Sequence, residues 1–179
     1  MTKRNLSKYN NSGYYPGRNA FIRGMWYIAN VLFFKSACWP YYGFKRTLLR
    51  CFGAKIGKGV VIKPCVNIKY PWHLTVGDYT WIGEGVWIDN LTTVTIGSNC
   101  CVSQGAMLLC GNHDYTKETF DLMVAPVCLE DGAWVGAKVL VCPGVTVGAG
   151  AVLTAGAVAT KDLAPEKVYQ GNPAVEKKN

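Results

Sequence analysis

An aliphatic side chain recurs every sixth residue from Ile56 onward, and few folds can accommodate that period. The series runs Ile56, Ile62 and Ile68; Val76, Ile82 and Ile88; Ile96, Val102 and Leu108; then Leu129, Val135, Val141, Val147, Leu153 and Ala159. Four residues after most of these stands a small or β-branched residue: Val60, Val66, Thr80, Val86, Cys100, Ala106, Ala133, Val139, Val145, Ala151 and Ala157. Six residues make one short strand and one turn, and an even offset along a strand keeps both positions pointing inward. Gly directly follows the aliphatic at 57, 77, 83, 97, 136 and 148. These glycines are expected to serve the turns, where positive φ is cheap for them. Self-similarity at a fixed short period marks a solenoid, and six-residue units mark a parallel β-helix.

The interruptions set the cross-section. The spacing breaks after Ile68, after Ile88 and, by a much longer insertion, after Leu108. Each break follows a third unit, so all insertions leave one corner of a coil with three sides. The expected fold is therefore all-β, a triangular prism; spacing alone does not give its hand. Residues 56–164 form the prism and residues 110–126 a corner loop. Residues 1–55 lack the repeat and form a basic, apolar appendage. Its stretch from Asn19 to Arg50 suits one or two helices broken near Trp39-Pro40, because proline ends a helix. Its longest uncharged run, Gly24 to Phe34, falls short of the ~20 residues a spanning helix needs. It suits lying on a membrane, not crossing one. The polar tail, residues 165–179, is expected to cap the prism.

Charge is divided along the chain. Residues 1–77 hold 13 Lys or Arg and no Asp or Glu, whereas the remainder holds 6 basic and 11 acidic residues. A wholly basic nucleic-acid binder would not normally split its charge this way; a basic appendage on a slightly acidic body points to an anionic surface. The eight cysteines show no C-x-x-C spacing and several sit in apolar runs, so neither a disulfide framework nor a zinc site is expected. No apolar signal core follows Met1, and a cytoplasmic, reduced protein is the expectation.

At this point the chain resembles a known family. The hexads over residues 54–175 are similar to the left-handed β-helix acyltransferases, and more closely to the colanic-acid biosynthesis acetyltransferases. The latter likeness rests on Phe52-Gly53-Ala54-Lys55-Ile56-Gly57-Lys58, Tyr70-Pro71-Trp72, Gly77-Asp78-Tyr79, Gly111-Asn112-His113-Asp114 and Gly171-Asn172-Pro173-Ala174. The resemblance implies a left-handed helix and acetyl transfer from acetyl-CoA to a sugar hydroxyl, without a metal. It also implies a homotrimer with active sites between neighbouring prisms, reached by the corner loop.

Acetyl transfer to an alcohol needs the hydroxyl proton removed as oxygen attacks the thioester, and imidazole is suited to that near neutral pH. His113, in the corner loop, is the candidate general base, and Asp114 beside it a candidate for orienting a group in the cleft. His73 is read as structural. Asp89 and Asn90, at the preceding corner, and more weakly Glu84, are candidates for holding acceptor hydroxyls. Related sugar acetyltransferases carry an asparagine where this chain has Gly83. The resemblance places Trp134, Gly136, Ala137, Ala155, Thr160 and Lys161 along the coenzyme. Small residues let the pantetheine arm approach the backbone, and Lys161 can meet a phosphate. The expected acceptor is a sugar or a lipid-linked oligosaccharide of exopolysaccharide assembly, met at the inner face of an anionic membrane. A small free sugar or an antibiotic is the alternative acceptor. A zinc carbonic anhydrase on the same prism would need three histidines, and the chain has two. A non-catalytic assembly solenoid would tolerate loss of His113, so acetyl-CoA turnover separates it from an enzyme.

Overall fold

The computed structural model describes residues 4–178. Three parallel sheets wrap one apolar core. The first sheet holds Lys55–Ile56, Leu74–Val76, Val94–Ile96, Val127–Leu129 and Thr146–Val147. The second runs from Val61–Ile62 through Trp81–Ile82, Cys101–Val102, Trp134–Val135 and Val152–Leu153 to Val168–Gln170, with Val175–Glu176 antiparallel at its end. The third holds Asn67–Ile68, Trp87–Asp89, Met107–Leu109, Leu140–Val141 and Val158–Ala159. The chain visits the three in turn, so each coil stacks on the last and the aliphatics fall in register, as Ile68 on Ile88 and Ile88 on Leu108. Every residue of the six-residue series is buried. The three interruptions all fall between a strand of the third sheet and the next strand of the first, at one corner of the prism.

The glycine expectation needs a correction. Glycines directly after the aliphatic do not have positive φ; that conformation falls three residues after it, at Gly85 and Gly105 but also at Tyr79, Asn99 and Lys138. The glycines after the aliphatic answer a different demand, close stacking of coils. A Cβ at Gly77 would lie 2.5 Å from the Ser98 nitrogen, and one at Gly136 2.5 Å from the Leu153 oxygen.

The appendage contains helix α1 (Ala20–Ala29), a π-helical turn (Asn30–Phe34) and helix α2 (Tyr42–Cys51). The Asn19 side chain caps α1 by accepting from the Ile22 N–H at 3.0 Å. Its position follows from backbone accounting. In each later coil, carbonyls at fixed positions accept N–H groups of the coil before, as Val76 accepts from Gly57 and Thr80 from Val61. The first coil has no predecessor. Its equivalent carbonyls are met by side chains instead: Ile56 by Arg50 (2.7 and 3.0 Å), Val60 by Arg46 (2.8 Å) and Ile68 by the Trp26 indole N–H (2.9 Å). The Lys45 ammonium, fully buried, reaches the Ile62 and Lys63 carbonyls at 3.4 and 3.0 Å. Burial holds its pKa below the ordinary lysine value. Basic residues of the appendage thus stand in for a missing coil.

Candidate active site

The insertion after the third sheet of the third coil folds into a hairpin, with Gly111–His113 antiparallel to Leu122–Val124 and His113 opposite Leu122. The hairpin fixes the His113 ring. Phe120 stacks on it at 4.3 Å with planes 4° apart, and Tyr9 of the appendage meets it edge-on at 5.7 Å. Its Nδ1 lies 3.0 Å from the Phe120 carbonyl oxygen. A carbonyl oxygen can only accept, so Nδ1 carries the proton of the neutral ring, and Nε2 is left with a free lone pair. That is the tautomer a general base requires.

A cleft of about 590 Å³ opens in front of this histidine, with Tyr9, Tyr14, Arg23, Lys69, Tyr70 and Asp89 in its walls. Asp89 is 7% exposed and accepts a hydrogen bond from Lys69 at 2.9 Å. The Tyr14 hydroxyl donates to the Leu91 carbonyl at 2.7 Å, and chiefly burial raises its pKa far above the ordinary phenol value. These contacts fold the appendage over the corner. Asn5 N–H donates to the Glu118 carbonyl at 2.9 Å, and Lys8 pairs with the Glu118 carboxylate at 3.0 Å.

The structure divides the residues singled out from sequence. His113 and Asp89 share the cleft. Asn90, between them in chain order and fully buried, uses its side chain on the Tyr70 backbone: its oxygen accepts from the N–H at 3.0 Å and its amide donates to the carbonyl. Asp114 does not line the cleft. Its carboxylate accepts from the Thr116 hydroxyl and N–H, which hold its pKa below the usual carboxylate range, with Lys117 nearby adding to the effect. Glu84 lines a separate groove with Lys63, Trp81 and Gln104, on the corner between the second and third sheets. Gly136, Ala137 and Ala155 turn at that same corner, and Trp134 opens the second-sheet strand before it, its indole N–H donating to the Ser103 hydroxyl at 3.0 Å. Thr160 and Lys161 follow Val158–Ala159, on the corner that carries His113. The coenzyme candidates are therefore split between two corners of one chain.

As cleft residues, Tyr14, Arg23, Lys69 and Tyr70 escaped the sequence reading. The first two lie in the aperiodic appendage, where no spacing marks them. Lys69 and Tyr70 occupy the first two-residue interruption, and its shared corner with the long loop was the available signal. His73 follows them at the same corner, outside the cleft lining, with its ring edge-on to Tyr70 at 6.4 Å. Burial holds its pKa below the ordinary imidazole value, and its neighbour Trp72 donates to the Pro16 carbonyl at 2.6 Å. All eight cysteines are free thiols. Burial pushes Cys110 up to about 11 and raises Cys100 as well, which keeps both protonated at neutral pH. Among the described residues no three His, Cys, Asp or Glu side chains are grouped as metal ligands.

The prism with a histidine-bearing corner loop defines the class, a hexapeptide-repeat acyltransferase fold. The hexapeptide-repeat acetyltransferase of Vibrio cholerae, solved with acetyl coenzyme A, superposes with a TM-score of 0.80 over 89% of this chain and 87% of its own, at 22% identity. A galactoside acetyltransferase solved with coenzyme A superposes with a TM-score of 0.79 over 89% of this chain and 80% of its own, at 23% identity. The architecture is thus the left-handed parallel β-helix with a helical N-terminal appendage. No protein-family model matches the chain. In sequence it is 40% identical over 161 residues to WcaF of Escherichia coli strain K12, assigned as a colanic acid biosynthesis acetyltransferase, covering 90% of this chain and 88% of that one. The chain belongs to this family of acetyltransferases.

Proposed function

We propose that the protein moves the acetyl group of acetyl-CoA to a sugar hydroxyl in exopolysaccharide assembly, with His113 as general base. The observation that carries this is the His113 ring beside a polar cleft, stacked on Phe120 with Nδ1 engaged by the Phe120 carbonyl and Nε2 left free. Nε2 takes the hydroxyl proton as the oxygen attacks the thioester carbonyl. The tetrahedral intermediate then collapses, the carbon–sulfur bond breaks, and the imidazolium returns the proton to the departing thiolate. Asp89, with Lys69 against it, is suited to hold neighbouring sugar hydroxyls. Asp114 acts on the loop rather than on substrate, through Thr116. Asn90 likewise acts by fixing Tyr70 in the cleft wall. Glu84 has no part in the cleft of its own chain.

The working form is a cyclic homotrimer. Outward positions of the first sheet are polar, Thr75, Thr95 and Thr146 among them, whereas the second exposes Trp81 and Trp134, and the third carries Met107, Leu140 and Val158. Two adjacent apolar faces suit a ring in which each chain offers a different face to each neighbour. Such a ring would set Trp134, Gly136, Ala137 and Ala155 of one chain beside His113, Thr160 and Lys161 of the next, uniting the two halves of the coenzyme path. We place the trimer in the cytoplasm, against the inner leaflet of an anionic membrane, in keeping with its free thiols and basic appendage. Among the described residues no helix is long and apolar enough to cross a membrane. The test is acetyl transfer from acetyl-CoA to a panel of free sugars, nucleotide sugars and lipid-linked oligosaccharides. Coenzyme release without any acetylated sugar would reject the reading.

A further inference from the structure

Behind the cleft, and sharing Arg23, Lys69, Tyr70 and Asp89 with it, lies a second chamber of about 450 Å³ between α1 and the third sheet. Its walls have an unusual make-up. Arg23, Lys35 and Lys69 bring three positive charges against the single carboxylate of Asp89, which Lys69 already engages at 2.9 Å. Among the described residues neither Arg23 nor Lys35 has a carboxylate within ion-pair distance, and the Arg23 Nε–H is buried with no hydrogen-bond partner. A buried donor left unpaired is costly, and the guanidinium that carries it belongs to a side chain lining both the cleft and the chamber. Tyr27, Tyr70 and Trp87 add aromatic faces, on which a sugar ring can stack.

Gly24 supplies an independent sign. It occupies the interior of α1, where glycine costs about 1 kcal/mol relative to alanine. Its φ is not in the left-handed region, and a Cβ built on it meets nothing within 4 Å. Neither backbone nor packing therefore requires glycine. Gly24 lines the chamber, so a long side chain at this position can reach into it.

We propose that this chamber is a subsite for an oxyanion, a carboxylate or phosphate, on the sugar unit adjoining the one acetylated. The inference rests on the sugar-acceptor reading and narrows it: the acceptor is an acidic saccharide, its anion on Arg23 and Lys35 while a hydroxyl of the next unit faces His113. Arginine suits either anion through its forked donors.

The experiment compares three disaccharides alike except at the second unit, which is neutral, a uronic acid or a sugar phosphate. For each, kcat/KM is measured with the wild type, Arg23→Ala, Lys35→Ala and Gly24→Leu. The wild type should favour one or both acidic disaccharides over the neutral one by about tenfold to a hundredfold, the worth of a charge-assisted contact. Whether uronate or phosphate is preferred identifies the anion. Each variant should shrink the acidic-to-neutral ratio, and raised salt should shrink it in the wild type. Equal rates on acidic and neutral disaccharides in the wild type, or an unchanged ratio in Arg23→Ala and Lys35→Ala, would overturn the subsite while leaving sugar acetylation standing. If no disaccharide turns over, calorimetric titration with the acidic disaccharides decides. Binding that Lys35→Ala weakens upholds the subsite, and absence of binding overturns it. Lys35 is exposed near the end of its helical turn, so that variant tests the idea even if Arg23→Ala folds poorly.

Discussion

At the scale of single residues, the site depends on which atom of a side chain is already engaged. His113 donates its Nδ1–H to the Phe120 carbonyl, which leaves Nε2 as the ring nitrogen open to substrate. We expect His113→Ala to lower kcat by roughly 10²–10⁴, the usual worth of a positioned base, with little change in coenzyme affinity. Steady-state kinetics beside a coenzyme titration checks both halves, and near-normal turnover would reject the assignment. His113 was legible from its place in a loop inserted into a regular repeat. Asn90 was legible only as a polar residue at the right corner. Its engagement with the Tyr70 backbone is a matter of rotamer and register, which spacing does not encode. Asn90→Ala would strand a buried N–H and carbonyl. The expected cost is about 1–3 kcal/mol in chemical unfolding, with any fall in activity following from loss of the cleft wall. His73 supplies a pH dependence. Burial holds its folded pKa below the ordinary value of 6.5. As pH falls through that value the unfolded chain takes up a proton that the folded chain refuses, so stability present above it is lost below it. Thermal melts between pH 7.5 and 5.5 should fall more steeply for the wild type than for His73→Gln, and parallel curves would discount this histidine.

Among the elements, the coils and their single insertion corner followed from spacing because every coil repeats the same burial requirement. Residue 83 shows where pattern and packing meet: a Cβ there would lie 2.8 Å from the Val102 oxygen and 2.9 Å from the Gln104 nitrogen, so the coil stacking itself demands glycine. The appendage was less legible. Its helices could be placed from apolar runs and Trp39-Pro40, but the service it performs could not, because that depends on carbonyls some distance along the chain. Arg46, Arg50 and Trp26 satisfy acceptors of the first coil that no strand reaches. Nothing in their own neighbourhood of sequence marks them as partners of Val60, Ile56 and Ile68. We expect Arg46→Met, which keeps much of the apolar stem, to lower stability by about 1–3 kcal/mol through the orphaned Val60 carbonyl. Amide hydrogen exchange should quicken first in the coil of residues 55–68. Uniform quickening along the prism, or none, would show that the cap is not needed locally.

For the whole molecule, two surfaces remain to be accounted for, and they call for different partners. In the proposed trimer the apolar second face meets a second chain, so Trp81→Glu, at a side chain 58% exposed, should dissociate that assembly in light scattering. The other surface is a row on the appendage, Phe21, Met25, Ile28 and Leu32, spaced four, three and four residues apart and exposed by 48–75%. Trp26, Ala29 and Phe34 are buried against the prism, so this row is the outward side of the same segment. The charge around it is reduced by structural duties: Lys45, Arg46 and Arg50 cap the first coil, and Lys8 and Lys69 are paired with acids. Arg4 and Arg18 have no such pairing among the described residues and are exposed, whereas Lys35 lines the chamber beside α1. Each cation near an anionic leaflet is worth about 1 kcal/mol, and three copies in a trimer multiply the contact. Inserted apolar side chains add burial that salt does not screen. Flotation with liposomes of rising anionic-lipid content should therefore carry the trimer upward at low salt. High salt should weaken the attachment, since attraction is screened within ~8 Å at physiological ionic strength. Phe21→Ser combined with Ile28→Ser should weaken flotation at every salt concentration, because it removes the inserted component and leaves the charges. A trimer that stays in solution with strongly anionic liposomes at low salt would reduce the appendage to a cap for the prism, and its exposed row would then require a protein partner instead.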